Sequence, residues 1–183
     1  MRILHIIPAA FNYFDDIKAE AFKLVENLHK LGIETDVFTL QYGGNPSSKS
    51  SMDSIRESAP SRQFVGMVGG EKITDEFVDY DIIHLHCPFF GAANKILKWK
   101  MSNPKIPFVV TYYRDIESTD LFAWIIKWYN SYYLPKIFAV ADIVCQKNTL
   151  PNHLTRSVDK VKLIEEIVGV EEYAGLYSRL ITK

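Results

Sequence analysis

The chain has 183 residues, 48% of them hydrophobic, with 21 Lys and Arg against 22 Asp and Glu. That is enough for one domain with a sizeable core, and a formal net charge of −1 supplies no global field to recruit nucleic acid or an acidic partner. No stretch approaches the roughly 20 apolar residues of a membrane span, and Ile3–Ala10, which contains His5, is too short and too lightly charged for a secretory signal.

Arg2–Pro8 is a short continuous apolar run, read as a central strand. A helix follows from about Asp15 to Lys30, with Ala19, Phe22, Val25 and Leu28 as its apolar side. Asp15 and Asp16 suit a helix N-terminus, and Gly32 ends the helix. Glu34–Leu40 is the second strand, and serine-rich Gln41–Ser61 lacks periodicity and reads as a surface loop. Gln63–Val68 is a third strand, and Thr74 can cap a brief helix through Val78.

Two apolar runs then frame the most informative stretch. Asp81–His86 and Pro107–Thr111 are strands, and Gly91–Met101 is a helix stopped by Asn103-Pro104. Strands apolar on both faces and joined by a helix belong to a parallel sheet with covered faces. In such sheets ligands sit beyond the carboxyl ends of the strands, which directs attention to His86, Cys87, Pro88 and Phe89 and to Thr111–Asp115. Ser118–Ala141 is a long helical region interrupted by Pro135, Asp142–Cys145 a sixth strand and Asn148–Ser157 a short helix. Lys162–Ile164 is the last strand and Glu171–Leu180 a terminal helix. The reading is α/β: a single doubly wound, Rossmann-like domain with a parallel sheet of about seven strands.

Dinucleotide binding in this class needs glycines in the first strand–helix turn. The turn Pro8–Asp16 has none, and no P-loop pattern occurs, so no cofactor is expected. His84 and His86, two apart on a strand, share a face, and His5 is the obvious third ligand for a metal. A closed metal site usually has four ligands, so His84 reads as a hydrogen-bonded core residue, His86 as lining the cleft, and no metal is expected. Asp115 can act as a base or hydrogen-bond acceptor, and equally suits the start of the next helix. Cys87 and Cys145 suit free thiols in a reducing cytoplasm, although two cysteines could in principle pair.

Five segments in order carry a family resemblance: Arg2–Pro8, Leu28–Thr39, Tyr80–His86, Ile106–Tyr112 and Ala141–Gln146. Together with Lys162–Glu171 they resemble the N-terminal domain of the retaining family 4 (group 1) glycosyltransferases. Those enzymes set two Rossmann-like domains across a cleft, the GT-B arrangement. The resemblance implies that residues 1–183 are the acceptor-side domain, with the C-terminal donor-binding domain absent and the chain inactive alone. It implies transfer of a sugar from a nucleotide-diphospho-sugar to a glycan or lipid-linked acceptor, as in polysaccharide biosynthesis. The alternative is a non-catalytic glycosyltransferase-like module that binds a glycan or a partner protein. The family's paired glycines fall on Asp15 and Asp16, whose carboxylates would repel a donor diphosphate, and its sugar-site histidine falls on Tyr113.

The resemblance makes Tyr113 and Asp115 the catalytic candidates, and Asn12, Asp16, His86 and Phe89 the substrate-binding ones. All six are expected on one concave surface. The sugar-nucleotide donor would bind through the second domain, and the expected location is cytoplasmic, with a peripheral membrane contact as a further option. The aromatic helix supports that contact. Leu121, Trp124, Ile125, Trp128 and Tyr132 form one stripe, and Phe122, Ile126, Tyr129 and Tyr133 another. Packing against the sheet is the first expectation for so apolar a helix. A membrane surface contact, with Lys127 and Lys136 and help from Lys95, Lys98, Lys100 and Lys105 around Trp99, is the second.

Overall fold

The computed structural model describes residues 1–8, 14–41, 63–67, 75–114, 123–147, 164–166 and 169–182. Seven strands form one sheet: β1 (Arg2–Ile7), β2 (Glu34–Gln41), β3 (Gln63–Met67), β4 (Ile82–Cys87), β5 (Phe108–Tyr112), β6 (Ile143–Gln146) and β7 (Ile164–Glu166). Their order is β3-β2-β1-β4-β5-β6-β7, and every pairing is parallel. The winding reverses between β1 and β4, so the crevice where such folds bind ligands opens above these two strands. The helices are α1 (Asp15–Lys30), α2 (Ala93–Ser102), α3 (Ala123–Trp128), α4 (Leu134–Val140) and α5 (Val170–Ile181). A 3-10 turn spans Asp75–Asp79.

Side-chain alternation sends Leu4, Ile6, Ile83, Leu85, Val110, Tyr112 and Val144 to one face of the sheet. There they meet Ile96, Leu97 and Trp99 of α2 and Leu134, Ile137 and Phe138 of α4. The other face carries Ile3, Ile82, Val109, Ile143 and Cys145 under Leu28 of α1 and Tyr173, Leu176 and Tyr177 of α5. Both cysteines are free and buried, in strands on opposite faces. Burial pushes the Cys87 thiol up to about 12.

The buried stripe of α1 keeps Val25 and Leu28 from the expected apolar side but has Ile17 and Ala21 in place of Ala19 and Phe22. Ala19 is exposed and Phe22 only partly covered, because the small Ala21 lets the helix approach β1 and β2 more closely than Phe22 would. Burying Ile17, Val25 and Leu28 is worth about 1.5–3 kcal/mol each. The helix ends where Ile33 N–H donates to the Leu28 carbonyl (3.1 Å) across Gly32, whose φ of 79° is the left-handed conformation that favours glycine.

Pro135 does not break the long helix. It falls in the first turn of α4, where a missing N–H is tolerated. The preceding turn, Tyr129–Tyr133, widens into a π-helix instead. The last strand is described over Ile164–Glu166, paired to Val144–Gln146 at the edge of the sheet, and the Lys162 and Leu163 part of the expected strand lies outside the described residues. The loop expected over Gln41–Ser61 (beyond Gln41 itself) and the helix expected over Asn148–Ser157 lie outside the described residues.

Charged groups at the amino-terminal edge of the sheet are paired. Lys100 is buried, its Nζ donating to Asp142 Oδ2 (2.7 Å) and to the carbonyls of Ile106 (2.7 Å) and Pro104 (3.1 Å). It therefore leaves the set of surface lysines expected around Trp99. Arg2 and the Tyr80 hydroxyl both donate to Asp36, at 2.9 and 2.8 Å. No helix among the described residues is long and apolar enough to cross a membrane.

Candidate functional site

The face under α1 and α5 is polar where the strands end. On β1, β4 and β5 the alternation that buries Ile3, Ile82 and Val109 also turns His5, His84, His86 and Thr111 inward, and all four are fully buried. The parallel register sets His5 opposite His84, and His86 opposite Thr111. Tyr113 extends the row, its N–H donating to the Cys87 carbonyl at 3.1 Å.

A buried imidazole needs partners, and each has found them. His84 Nδ1 lies 2.6 Å from the Tyr177 hydroxyl and its Nε2 2.7 Å from Thr111 Oγ1. Thr111 Oγ1 is also 2.9 Å from the Tyr173 hydroxyl. His86 Nδ1 meets the Tyr113 hydroxyl at 2.9 Å, and His5 Nδ1 meets His86 Nε2 at 3.0 Å. The His84 and His86 rings stack with centroids 4.3 Å apart. Among the described residues, one nitrogen, His5 Nε2, has no hydrogen-bond partner.

Burial keeps this network neutral. It lowers the His5 imidazole to about 3, and holds His84 and His86 well below the ordinary imidazole value, with the neighbouring histidines adding to the effect. Burial also raises the Tyr113, Tyr173 and Tyr177 hydroxyls. The hydrogen bonds can run from Tyr113 through His86 to His5 or in the reverse direction, and no member is poised to act as a base near neutral pH.

His5, His84 and His86 hold nitrogens within 4.8 Å of one another, close enough to be weighed as metal ligands. Both His84 nitrogens are already engaged by hydroxyls, His5 and His86 bond each other, and among the described residues no carboxylate joins them. The geometry is that of a hydrogen-bonded network. His86 is part of it and fully buried, rather than lining open cleft.

Beside Tyr113 a cavity of about 320 Å³ opens between α1, α5 and the end of β6. Glu20, Lys23 and Asn27 come from α1, Lys147 follows β6, and Tyr113 and Tyr173 supply hydroxyl-bearing rings. The Lys147 N–H donates to the Tyr112 carbonyl at 3.0 Å, which fixes its start point. Two ammonium groups, a carboxylate and an amide, beside two tyrosine rings whose hydroxyls bond to His86 and Thr111, suit a polyhydroxylated ligand carrying a negative group.

The six expected site residues divide. Tyr113 and His86 are in direct contact. Asp16 lies near them: Arg114 donates to it twice, from Nε at 2.9 Å and from a terminal nitrogen at 3.1 Å. That bond holds the Asp16 carboxyl below its usual value. Phe14 and Ile17 pack with Tyr113 and Ile126, bringing the start of α1 to the same side as Tyr113. Phe89 is elsewhere. It is 1% exposed in the core under α2 and α4, with its N–H donating to the Tyr129 hydroxyl at 3.0 Å, so the substrate role expected for it has no surface to act through. Its neighbour Phe90 packs against Phe14 instead, at 5.5 Å. Asn12 and Asp115 lie outside the described residues.

Sequence reading missed Tyr173, Tyr177, Lys23 and Lys147. Two tyrosines four apart on the terminal helix were the available signal for the first pair. Nothing in the spacing marks the lysines.

A family model described as Glycosyltransferase Family 4 matches residues 21–164. No curated protein matches the chain by sequence. Among solved structures, an alpha-glucosyltransferase in complex with UDP and a 13-mer DNA containing a HMU base is similar, with TM-score 0.52 and 13% identity over 80% of this chain and 36% of that one. An alpha-glucosyltransferase (AGT) in complex with UDP gives TM-score 0.54 and 14% identity over 80% of this chain and 35% of that one. At this identity the likeness concerns the fold, and the chain spans about a third of each neighbour's length. The exclusion of nucleic acid drawn from net charge is corrected here, because a neighbour of this fold is in complex with DNA. A sum of −1 says nothing of how the charges are distributed over the surface.

Proposed function

The chain belongs to glycosyltransferase family 4, and on that premise we propose that it is the acceptor-side domain of a sugar transferase. The donor, a nucleotide-diphospho-sugar, would be held by a second Rossmann-like unit facing the carboxyl ends of these strands. One observation carries the reading: the concavity bordered by Tyr113, Tyr173, Lys23 and Lys147 lies past the carboxyl ends of β5 and β6, the side of the sheet on which such folds bind ligands.

No protein nucleophile is required in this reading. The domain holds an acceptor hydroxyl in line with the donor, and the second unit stabilises the leaving diphosphate. Tyr113, kept protonated by burial, offers a hydrogen bond rather than a base. Lys23 and Lys147 attract an acceptor bearing a carboxylate or phosphate, as a lipid-linked saccharide does. Alone, the chain binds acceptor and turns nothing over.

A second reading, a non-catalytic module binding a glycan or partner protein, has one observation in its favour. Asp16 and Arg114 satisfy each other between α1 and the end of β5, leaving Asp16 committed to an internal bond. Calorimetric titration of the chain separates the possibilities. The panel holds neutral and anionic saccharides, a lipid-linked saccharide in detergent, DNA (because a neighbour of this fold is bound to it) and UDP- and GDP-sugars. The acceptor reading expects a saccharide to bind and the nucleotide sugars to give no heat. Tight nucleotide-sugar binding by this chain alone would contradict it. Saccharide binding without transfer, once a family donor domain is supplied, would favour the non-catalytic module.

A further inference from the structure

The two aromatic stripes of the long helix have opposite fates. Ile126 and Tyr129 are buried and Tyr133 packs against the core. Trp124, Trp128 and Tyr132, four residues apart in turn, are 68%, 51% and 47% exposed. The expectation of core packing therefore holds for one stripe only.

The helices on this side carry charges of one sign, while the acidic 3-10 turn Asp75–Asp79 packs beside α2 through Phe77 and Trp99, ring centroids 5.5 Å apart. α2, the π turn and α4, which cover one face of the sheet, and α3, whose Ile126 packs with Phe14, Ile17 and Tyr113, contain Lys95, Lys98, Lys100, Lys127 and Lys136 and no Asp or Glu. Lys100 is buried in its ion pair, while Lys98, Lys127 and Lys136 are exposed. α1 and α5, on the other face, carry both signs: Asp15, Asp16, Glu20, Glu26, Glu171 and Glu172 with Lys18, Lys23, Lys30 and Arg179. Asp115, Glu117 and Asp120 precede α3 in sequence, outside the described residues.

We propose that the outward side of α2, α3 and α4 docks on an anionic lipid surface. Exposed Trp and Tyr on a helix, flanked by lysines, is the composition of a segment lying at the boundary between headgroups and acyl chains. Ring geometry favours a bilayer over single-stranded nucleic acid, the other polyanion that lysines and aromatics attract. Trp128 stacks on Tyr132 at 6° between ring planes and 5.7 Å between centroids, and Lys136 Nζ sits 3.5 Å from the Tyr132 centroid. Tyr132 is thus covered by Trp128 and Lys136, which leaves bases less platform on which to stack. The docking surface is separate from the cavity at the strand ends, and holds whether or not that cavity takes a sugar acceptor.

The test is co-sedimentation of the 183-residue chain with phosphatidylglycerol or phosphatidylcholine vesicles, together with tryptophan emission. Of the three tryptophans Trp99 is buried, so the change on docking reports Trp124 and Trp128. The chain is expected to bind the anionic vesicles with a blue shift, and the neutral ones far less. Trp124→Ala with Trp128→Ala should abolish the shift and most of the binding, with the circular dichroism melt preserved. Lys127→Gln and Lys136→Gln should each weaken binding about five-fold. Three results overturn the proposal: no binding to anionic vesicles at low salt, binding that survives the double tryptophan substitution, or a single-stranded oligonucleotide that binds this face while vesicles do not.

Discussion

The two faces of this sheet are made by the same strands, one residue apart, and they solve different problems. Under α2 and α4 the core is apolar throughout the strands: Leu4, Ile6, Leu85, Val110 and Val144 meet Ile137 and Phe138. Under α1 and α5 the same strands bury three imidazoles and a threonine, and the helix above brings Tyr173 and Tyr177 to meet them. The first face is held by area removed from water and is indifferent to modest shifts of its helices. The second fixes the position of α5 through hydroxyl-to-imidazole bonds, and a slip by one residue would strand several buried polar groups. The comparison also explains why the cavity lies where it does. The polar face is the one on which hydrogen-bonding groups continue past the strand ends, through Tyr113, into open space.

Placing a charge on the apolar face should break the contrast most severely. Val110→Asp buries a carboxylate with no partner, a cost of several kcal/mol and comparable to the whole stability of such a domain. The expected result is an unfolded chain by circular dichroism.

Acid should act on the polar face alone. His5, His84 and His86 have folded values depressed below the ordinary 6.5. Below that value the unfolded chain binds protons that the folded chain excludes, so stability is complete above about pH 6.5 and falls as pH drops toward the folded values, about 3 for His5. Each histidine contributes a slope of up to about 1.4 kcal/mol per pH unit. Urea melts from pH 7 to 4.5 measure it, and His5→Phe should remove about one proton's share of the slope.

A gentler change sharpens the same point. His84→Phe leaves the Tyr177 and Thr111 hydroxyls without their imidazole partner and should cost about 1–3 kcal/mol. Adding Tyr177→Phe should restore part of that loss, because one orphaned hydroxyl goes with it. Strict additivity in the double-mutant cycle would show that the bond does not couple β4 to α5.

The smallest effect is expected at the surface. Asp16→Asn releases Arg114 from an exposed pair worth about 0.2–1 kcal/mol. A thermal melt should move by only a few degrees, and any large change in saccharide binding would then reflect the site rather than the fold.

Much of this architecture was legible in the sequence. The strands β1, β4 and β5 are uninterrupted apolar runs bounded by Pro, Gly or Asp, and parallel pairing follows from the helices between them. The inward turn of His84 and His86 to a common face follows from period two alone. Their partners were not legible, because Tyr177 lies 93 residues from His84 in sequence and only tertiary packing joins them. The stripe of α1 was misread because Ala19 and Ala21 carry almost equal hydrophobic weight, so the spacing does not choose between them. Phe89 and Phe90 pose the same difficulty past the end of β4: two adjacent aromatic residues outside a regular element carry no periodicity that says which one is fully buried and which reaches Phe14. Net charge misled for a simpler reason, since the lysines of α2, α3 and α4 cancel against acids carried on other elements.

The central claim is that the polar face leads to an acceptor site and the donor binds elsewhere. Its most direct test is side-chain NMR of the chain during titration with an anionic saccharide and, separately, a UDP-sugar. The account predicts that the saccharide shifts the Tyr113, Tyr173, Lys23 and Lys147 resonances, leaves Val110 and Phe138 unmoved, and that the UDP-sugar shifts none of them. Perturbation of the tyrosines and lysines by the UDP-sugar alone would contradict the claim.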